Sequence, residues 1–284
     1  MKTNSRNRNI ILSPVVKWVG GKRQLLTDIY PLVPKKMTVY VEPFIGGGAV
    51  LFHLQPAKAI INDSNVELIN IYRTIKDSPN ELISLLELHE QNNNEEYFYS
   101  IRNLDRQENY NELGNIEKAA RIIYLNKTCY NGLFRVNQAG QFNSPYGRYK
   151  SPNIVNRPVI LAMHKYFNEN DIQIEQGDYN IVLNSLSKGA FVYLDPPYMP
   201  ISSSASFTGY TETGFNEDEQ TRLKTECDKL NKSGIKFLLS NSDHLFIKDL
   251  YKEYTITIVK AKRSINSNSE KRGEINEVLI RNYD

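Results

Sequence analysis

The sequence predicts an α/β fold, with an open, mostly parallel sheet, an antiparallel strand at its edge, and an inserted, mainly helical segment carrying a β-hairpin. Three observations predict it. Short β-rich runs end in glycine-rich or acidic turns and feed helical patterns, as parallel strands with crossover helices do. The closing runs YTITIVKA (Tyr254 to Ala261) and EVLIRNY (Glu277 to Tyr283) have no evident helix between them, which calls for an antiparallel edge strand. The middle of the chain changes in composition and loses the alternation of strand and helix. At 284 residues the chain suffices for one large domain, or for a core domain with a smaller insertion.

The first strand is TVYVEPF (Thr38 to Phe44), which runs into Gly46-Gly47-Gly48 and then the helical AVLFHL. The second is AKAIIND (Ala57 to Asp63), closing on an acid. Ser64 stands three residues before Glu67, a capping box for a helix through Ile75. Ser78-Pro79-Asn80-Glu81 repeats the signal with proline at the first helical position. From Glu95 to Thr128 the pattern is helical, with Ala119, Ala120, Ile122, Ile123 and Leu125 as an apolar stripe. From Tyr130 to Lys150 the chain is rich in Gly, Asn and Tyr without helical period, and a hairpin or ordered loop is expected around Gln138-Ala139-Gly140-Gln141. IQIEQGD (Ile172 to Asp178) and AFVYLDPPY (Ala190 to Tyr198) are strands running into polar turns. Asn216 with Glu219 caps a helix to about Asn231, and KFLLSN (Lys236 to Asn241) precedes the closing pair.

The 35 Lys and Arg against 32 Asp and Glu leave a net charge of +3, too small to point to a partner, so the distribution of charge matters more. Eighteen tyrosines combine a stacking face with a polar tip and suit wet, base-lined surfaces as well as cores. Cys129 and Cys227 form no CxxC pair, which argues against a disulfide scaffold or a cysteine zinc site and fits a reducing cytoplasm. The basic N-terminal stretch MKTNSRNRNIILSP lacks the apolar core of a signal peptide, and no run reaches the roughly 18 apolar residues of a membrane span, so a cytoplasmic protein is expected.

The sharpest chemical signal is Asp195-Pro196-Pro197-Tyr198, delivered by the apolar strand FVYL. Two prolines fix the backbone and remove two N–H donors. What remains is a row of acceptors, the Asp195 carboxylate and the Pro196 carbonyl, beside an aromatic face. An exocyclic NH2 group presents two donors next to a stackable ring, and accepting both N–H groups aims the amine lone pair at an alkyl donor. A proline-rich turn after a strand is the plain structural alternative. A second signal is Glu42-Pro43-Phe44-Ile45-Gly46-Gly47-Gly48, where glycines admit a ligand close to the backbone and the following helix offers free N–H groups. Neither GxGxxG nor a P-loop is present, and Gly20-Gly21-Lys22 is followed by Arg23. Asp63 after Asn62 is placed to take the two hydroxyls of a ribose, and Asp178 ends another strand where it can accept from an adenine amino group.

Together, Lys17-Trp18-Val19-Gly20-Gly21-Lys22, EPFIGGG, IIND and DPPY resemble the Dam family of DNA adenine-N6 methyltransferases, in the alpha-ordered class whose recognition segment lies between cofactor half and catalytic half. FTGYTETGF (Phe207 to Phe215), LLSN (Leu238 to Asn241) and KRSINSN (Lys262 to Asn268) match in kind and order, so the resemblance runs from about Lys17 to Tyr283. It implies a Rossmann-like, class I S-adenosylmethionine-dependent methyltransferase core from 1–67 and 171–284, with a DNA target-recognition domain over 68–170. It implies that Trp18, Lys22, Glu42, Phe44, Gly46, Gly48, Asp63, Asp178 and Asp195 form the S-adenosylmethionine site, and that Asp195, Pro196, Pro197 and Tyr198 are the catalytic motif.

The same comparison makes Tyr130 to Arg135 and Phe142 to Lys150 the DNA reader. The residues themselves agree. Between Asn126 and Pro158 stand five Lys or Arg and no Asp or Glu, with aromatics interleaved, as a phosphate- and base-lined surface requires. Arg135 can present a bidentate fork to guanine, while Leu133 and Pro145 can pack on a thymine methyl. Asn131 or Tyr130 can fill the space a departing base leaves, and Lys17, Arg148 and Tyr149 complete the expected double-stranded DNA contacts. The family's hairpin pattern implies the palindrome GATC and a possible restriction endonuclease sharing that site.

An amino group inside a duplex is out of reach, so base flipping and direct displacement are expected, with no covalent intermediate and no metal. Methylation at cytosine C5 needs a cysteine nucleophile, and neither cysteine has the required context. Cytosine N4 or an RNA base is the nearest alternative acceptor. A catalytically inert DNA-binding protein and a nicotinamide oxidoreductase are the alternatives of other classes.

Overall fold

A computed structural model describes residues 8–200, 215–262 and 274–284. Within the runs quoted above, Phe207 to Gly214, Arg263 to Asn268 and the first seven residues lie outside the described residues.

Strands β1 (Tyr40–Glu42), β2 (Lys58–Asp63), β3 (Asp171–Gln176), β4 (Phe191–Leu194), β5 (Lys236–Ser242), β6 (Thr255–Lys262) and β7 (Glu274–Arg281) form one sheet in the order β3-β2-β1-β4-β5-β7-β6. β1 to β5 are parallel, and β7 runs antiparallel to both β5 and β6. The one reversed strand expected at this edge is β7, inserted between β5 and the outermost strand β6, which runs in the direction of β1 to β5. Helices are α1 (Leu26–Ile29), α2 (Ala49–Leu54), α3 (Val66–Asp77), α4 (Pro79–Gln91), α5 (Glu95–Arg102), α6 (Asn115–Thr128), α7 (Arg157–Glu169), α8 (Asn180–Leu183), α9 (Glu217–Lys232) and α10 (Leu245–Leu250). No helix of the described residues is long and apolar enough to cross a membrane.

Period-2 alternation along the central strands builds two apolar layers. Tyr40, Phe191, Tyr193 and Leu238 join α2, α3, α6 and α7 on one face, whereas Val41, Val192, Leu194 and Leu239 join α8, α9 and α10 on the other. From β1 the chain passes to β2 and β3 on one side, then crosses back to β4 and β5 on the other. A crevice opens where such a strand order reverses, and the carboxyl ends of β1 and β4 are where open sheets of this kind place a ligand. Glu42 and Asp195 stand there.

Two local expectations are corrected. Asn65, not Ser64, caps α3, because its side chain accepts the Leu68 N–H at 2.9 Å while its own N–H is held by Asp63 at 2.9 Å. The helical stretch from Glu95 to Thr128 is broken by short 3-10 turns at Asn103–Arg106 and Glu108–Glu112, and α6 restarts after Gly114. The loop around Gln138 to Gln141 is a narrow hairpin, bridged by Val136 with Phe142 and by Cys129 with Tyr146.

Candidate active site

Asp195 leaves β4 at the crevice with one carboxylate oxygen already engaged. Oδ1 is 2.8 Å from Lys22 Nζ and accepts the Ser240 hydroxyl at 2.9 Å. Oδ2 and the Pro196 carbonyl take no hydrogen bond among the described residues. Burial pushes the Asp195 carboxyl above its ordinary range, and Lys22 and Ser240 oppose that shift. Lys22 is itself buried; Nζ also donates to the Gly20 carbonyl and lies 4.6 Å from the centroid of the Tyr198 ring. Tyr198 in turn donates its hydroxyl to Glu277 Oε2 on β7 at 2.7 Å. Burial raises the Glu277 carboxyl, with Lys22 and the Tyr198 hydroxyl opposing. The result is two open acceptors beside a fixed aromatic ring, an arrangement that fits a donor-rich amine on a flat ring.

The turn after β1 lies beside this cluster. Gly46 and Gly48 both have positive φ, and a Cβ on Gly46 would stand 3.2 Å from Trp18 Cδ1. At Gly48 a Cβ would meet the Phe52 ring at 2.8 Å, so the turn cannot carry side chains there. Asp63 ties the turn down by accepting the Gly46 N–H at 3.0 Å, and burial raises its carboxyl despite these backbone donors. Asn62 links two strand-end loops through the Pro43 and Gly177 carbonyls, leaving its Oδ1 buried without a partner. Glu42 is buried against the Tyr40 hydroxyl at 2.7 Å, and burial holds it well above the usual carboxylate range. Phe44 sits in an aromatic trio, 5.2 Å from Tyr179 and 6.0 Å from Phe215 by ring centroids. This glycine-floored, carboxylate-flanked and aromatic-walled set has the donor and acceptor chemistry of an adenosyl site.

Asp178 lies between Gly177, whose carbonyl accepts from Asn62, and Tyr179, which packs on Phe44. Its Oδ1 accepts the Asn180 N–H and an Arg222 N–H at 2.8 Å, and Arg222 lies over the Tyr179 ring.

The basic middle segment meets the N-terminal motif directly. Asn126, buried at the end of α6, accepts the Lys17 N–H at 2.8 Å and donates to the Lys17 carbonyl at 2.9 Å and the Gly132 carbonyl at 3.1 Å. Lys17 Nζ donates to the Asn131 carbonyl at 2.6 Å, and Trp18 stacks on Phe134 at 4.7 Å. Asn131 has φ 59° and its N–H is held by the Tyr149 hydroxyl at 2.9 Å; the Tyr130 N–H donates to the Pro145 carbonyl. Thus Lys17, Tyr130, Asn131, Pro145 and Tyr149 are brought together. Arg135 is exposed, its Nε bonded to Asn143 Oδ1 at 2.6 Å, and the Leu133 carbonyl accepts the Ser144 hydroxyl. Arg148 points elsewhere, pairing with Glu95 on α5 at 3.2 Å.

Sequence reasoning missed Glu277, Asn126, Gln220 and the Tyr179–Phe215 wall. None carries a local signal, since each matters only through a partner distant in sequence. Both cysteines are buried, and burial pushes the Cys129 thiol up to about 12, far from the thiolate a nucleophile needs.

A sequence model of the D12 class N6 adenine-specific DNA methyltransferases matches residues 18–265. The chain is 44% identical over 278 residues to the type II methyltransferase M1.LlaDCHI of Lactococcus lactis subsp. cremoris, covering 98% of each chain. It is 41% identical to the type II methyltransferase M.MjaIII of Methanocaldococcus jannaschii, over 96% of this chain and 99% of that one. To the DNA adenine methylase of Serratia marcescens it is 32% identical, over 93% and 96% respectively.

Proposed function

We propose, from the premise that this chain belongs to the D12 class N6 adenine-specific DNA methyltransferases, that it methylates N6 of an adenine flipped out of duplex GATC, with S-adenosylmethionine as donor. The observation that carries the chemistry is the pairing of two open acceptors, Asp195 Oδ2 and the Pro196 carbonyl, beside the Tyr198 ring.

The glycine turn, Trp18, Lys22, Glu42, Phe44, Asp63 and Asp178 would hold the cofactor, with the Phe44–Tyr179–Phe215 aromatics beside its adenine. When bound, S-adenosylmethionine supplies an electrophilic methyl group on a positively charged sulfur. The protein's part is to hold the acceptor amine. Tyr198 stacks on the flipped base, Asp195 Oδ2 and the Pro196 carbonyl accept the two N6 hydrogens, and the nitrogen lone pair is turned out of the ring plane. Lys22 and Ser240 keep the opposite carboxylate oxygen fixed, so the accepting oxygen has one orientation.

The division into a catalytic part (1–67 and 171–284) and a DNA-reading part (68–170) follows this reading. GATC is supported by the forked Arg135 and the Leu133 and Pro145 surfaces, which suit guanine and a thymine methyl. The type II names of two relatives favour a role beside a restriction endonuclease of the same specificity, acting in the cytoplasm.

Nucleoside analysis tests the acceptor. Duplex DNA incubated with the protein and S-adenosylmethionine, then digested, should yield N6-methyldeoxyadenosine, and Asp195→Ala should yield none. N4-methyldeoxycytidine in its place would transfer the reading to cytosine, whose amino group offers the same two donors.

A further inference from the structure

The turn that carries Asp195 has few ways to hold itself in shape. Pro196 and Pro197 contribute no N–H, so the turn must be fixed through carbonyls and through the residues just beyond it. Three buried side chains from other elements do this. Gln220, in the first turns of α9, donates Nε2 to the Pro197 carbonyl at 3.0 Å. Asn241, on β5, donates Nδ2 to Gln220 Oε1 at 3.0 Å and accepts the Met199 N–H at 3.1 Å. Ser242 donates its hydroxyl to the Met199 carbonyl at 2.7 Å. Gln220 and Asn241 are both 0% exposed.

The partners fix both amide orientations. A carbonyl oxygen cannot donate to Pro197, so nitrogen must face it, and Oε1 must then face the Asn241 nitrogen. Asn241 Oδ1 is thereby left to take the Met199 N–H, and it accepts the Ser242 N–H at 2.8 Å as well. Every polar atom in this chain of contacts is used once its direction is set. A buried network satisfied in one direction is rigid, and reversing any member leaves an orphan.

We propose that Gln220 is a positioning residue for methyl transfer: by drawing the Pro197 carbonyl toward α9, it leaves the neighbouring Pro196 carbonyl as the acceptor that faces the substrate amine. The two carbonyls compete for the same role. Each proline ring fixes its own φ, and Pro197 confines ψ of Pro196 to the extended range, so anchoring the Pro197 carbonyl places this stiff turn as a unit, the Pro196 carbonyl included. Gln220 is fully buried against Pro197 and Asn241, so its effect reaches the reaction through the turn. The inference rests on the reading of Asp195 and Pro196 as the amine acceptors.

Gln220→Glu separates positioning from packing. A carboxyl at this buried place is held protonated more readily than in water. When protonated, it can donate its O–H to Pro197 and accept from Asn241, as glutamine does. When ionised, it sets negative charge against the Pro197 carbonyl and loses the donor. Other groups at this end also titrate or carry charge: Asp195 with Lys22, Glu277, the Asp243–Lys248 pair, and Glu219, Arg222 and Lys224 on α9. All are present in both proteins, so the ratio of variant to wild-type kcat is the quantity to follow.

The expected result, with duplex DNA and S-adenosylmethionine saturating, is a kcat lower by about 10-fold to 100-fold near neutral and alkaline pH. That ratio should recover as the pH falls, while KM for DNA and cofactor stays near the wild-type values. A lowered ratio that does not change with pH overturns the proposal, and a kcat equal to wild type throughout, as a permanently protonated carboxyl would give, passes the decision to Gln220→Met. Should Gln220→Glu not fold, Gln220→Met carries the test: lower kcat with unchanged KM supports positioning, and unchanged kcat overturns it. Failure of the underlying reading looks different, because the wild-type protein would then form no N6-methyladenine at all.

Discussion

Lys22 Nζ stands 2.8 Å from Asp195 Oδ1, with the two side chains 6% and 18% exposed, so one cation sets the charge of the acceptor at the centre of the site. Burial raises the pKa of Asp195, and Lys22 is the main influence that opposes the shift. Asp195 has a raised pKa, so its carboxylate is lost as pH falls through that value, and methyl transfer should fall with it. Removing Lys22 raises the pKa further. Measured as kcat against pH at saturating cofactor, the acid limb should move to higher pH in Lys22→Met. An unmoved limb would show that Lys22 does not govern Asp195. Loss of one partner from a buried pair should also lower stability by about 3–5 kcal/mol, readable by denaturant titration.

Tyr198 and Glu277 form a second pair, 2.7 Å apart and 79 residues apart in sequence. Glutamine can still accept the phenolic proton, so Glu277→Gln should keep most activity, whereas Glu277→Ala and Tyr198→Phe should each free the ring and lower kcat by similar factors. The double variant should be no worse than either single one, because the same bond is lost only once. Additive losses in steady-state kinetics would mean that the two residues act independently.

Much of this was legible in the sequence, for identifiable reasons. Strands such as FVYL and KFLLSN announce themselves by apolar runs between turn signals, and DPPY and the glycine turn carry their chemistry in consecutive residues. The Ser64–Glu67 spacing misled because Asn65, one residue on, makes the better cap once Asp63 holds its N–H. The wealth of tyrosine was ambiguous: Tyr40, Tyr72, Tyr124, Tyr193 and Tyr251 are all core residues, while Tyr130 and Tyr149 are exposed in the basic loop. Glu277, Gln220 and Asn126 were invisible because a lone carboxylate or carboxamide acquires meaning only from the elements folded around it. That the last strand, β7, inserts between β5 and β6 is a tertiary choice that the pattern of each strand does not encode.

Asn126 ties the N-terminal motif to the basic loop by holding both backbone groups of Lys17 and the Gly132 carbonyl. Asn126→Ala orphans all three, and should cost about 1–3 kcal/mol of stability. It should also weaken duplex binding, because Lys17 and the Gly132 turn lose their common anchor. Calorimetry and fluorescence anisotropy measure the two effects, and full DNA affinity in a destabilised variant would confine Asn126 to the fold.

His89 gives the fold a pH dependence far from the active site. It is packed on Tyr124 at 4.9 Å and bonded to the Tyr97 hydroxyl at 2.7 Å, and burial lowers its pKa to about 4. The folded state therefore favours neutral imidazole, while the unfolded chain binds a proton below about pH 6.5. This contribution to stability is present above that value and is lost as pH falls toward about 4. The melting temperature should drop over that window, and His89→Gln should flatten the dependence. An unchanged slope in the variant would assign the acid sensitivity to other groups.

Acceptor and site are read together by offering the protein S-adenosylmethionine labelled on its methyl group and two short duplexes, one with GATC and one with the site scrambled. Label is expected in N6-methyladenine on the GATC duplex alone. Label on cytosine, or equal label on both duplexes, would contradict the assigned acceptor or the assigned site.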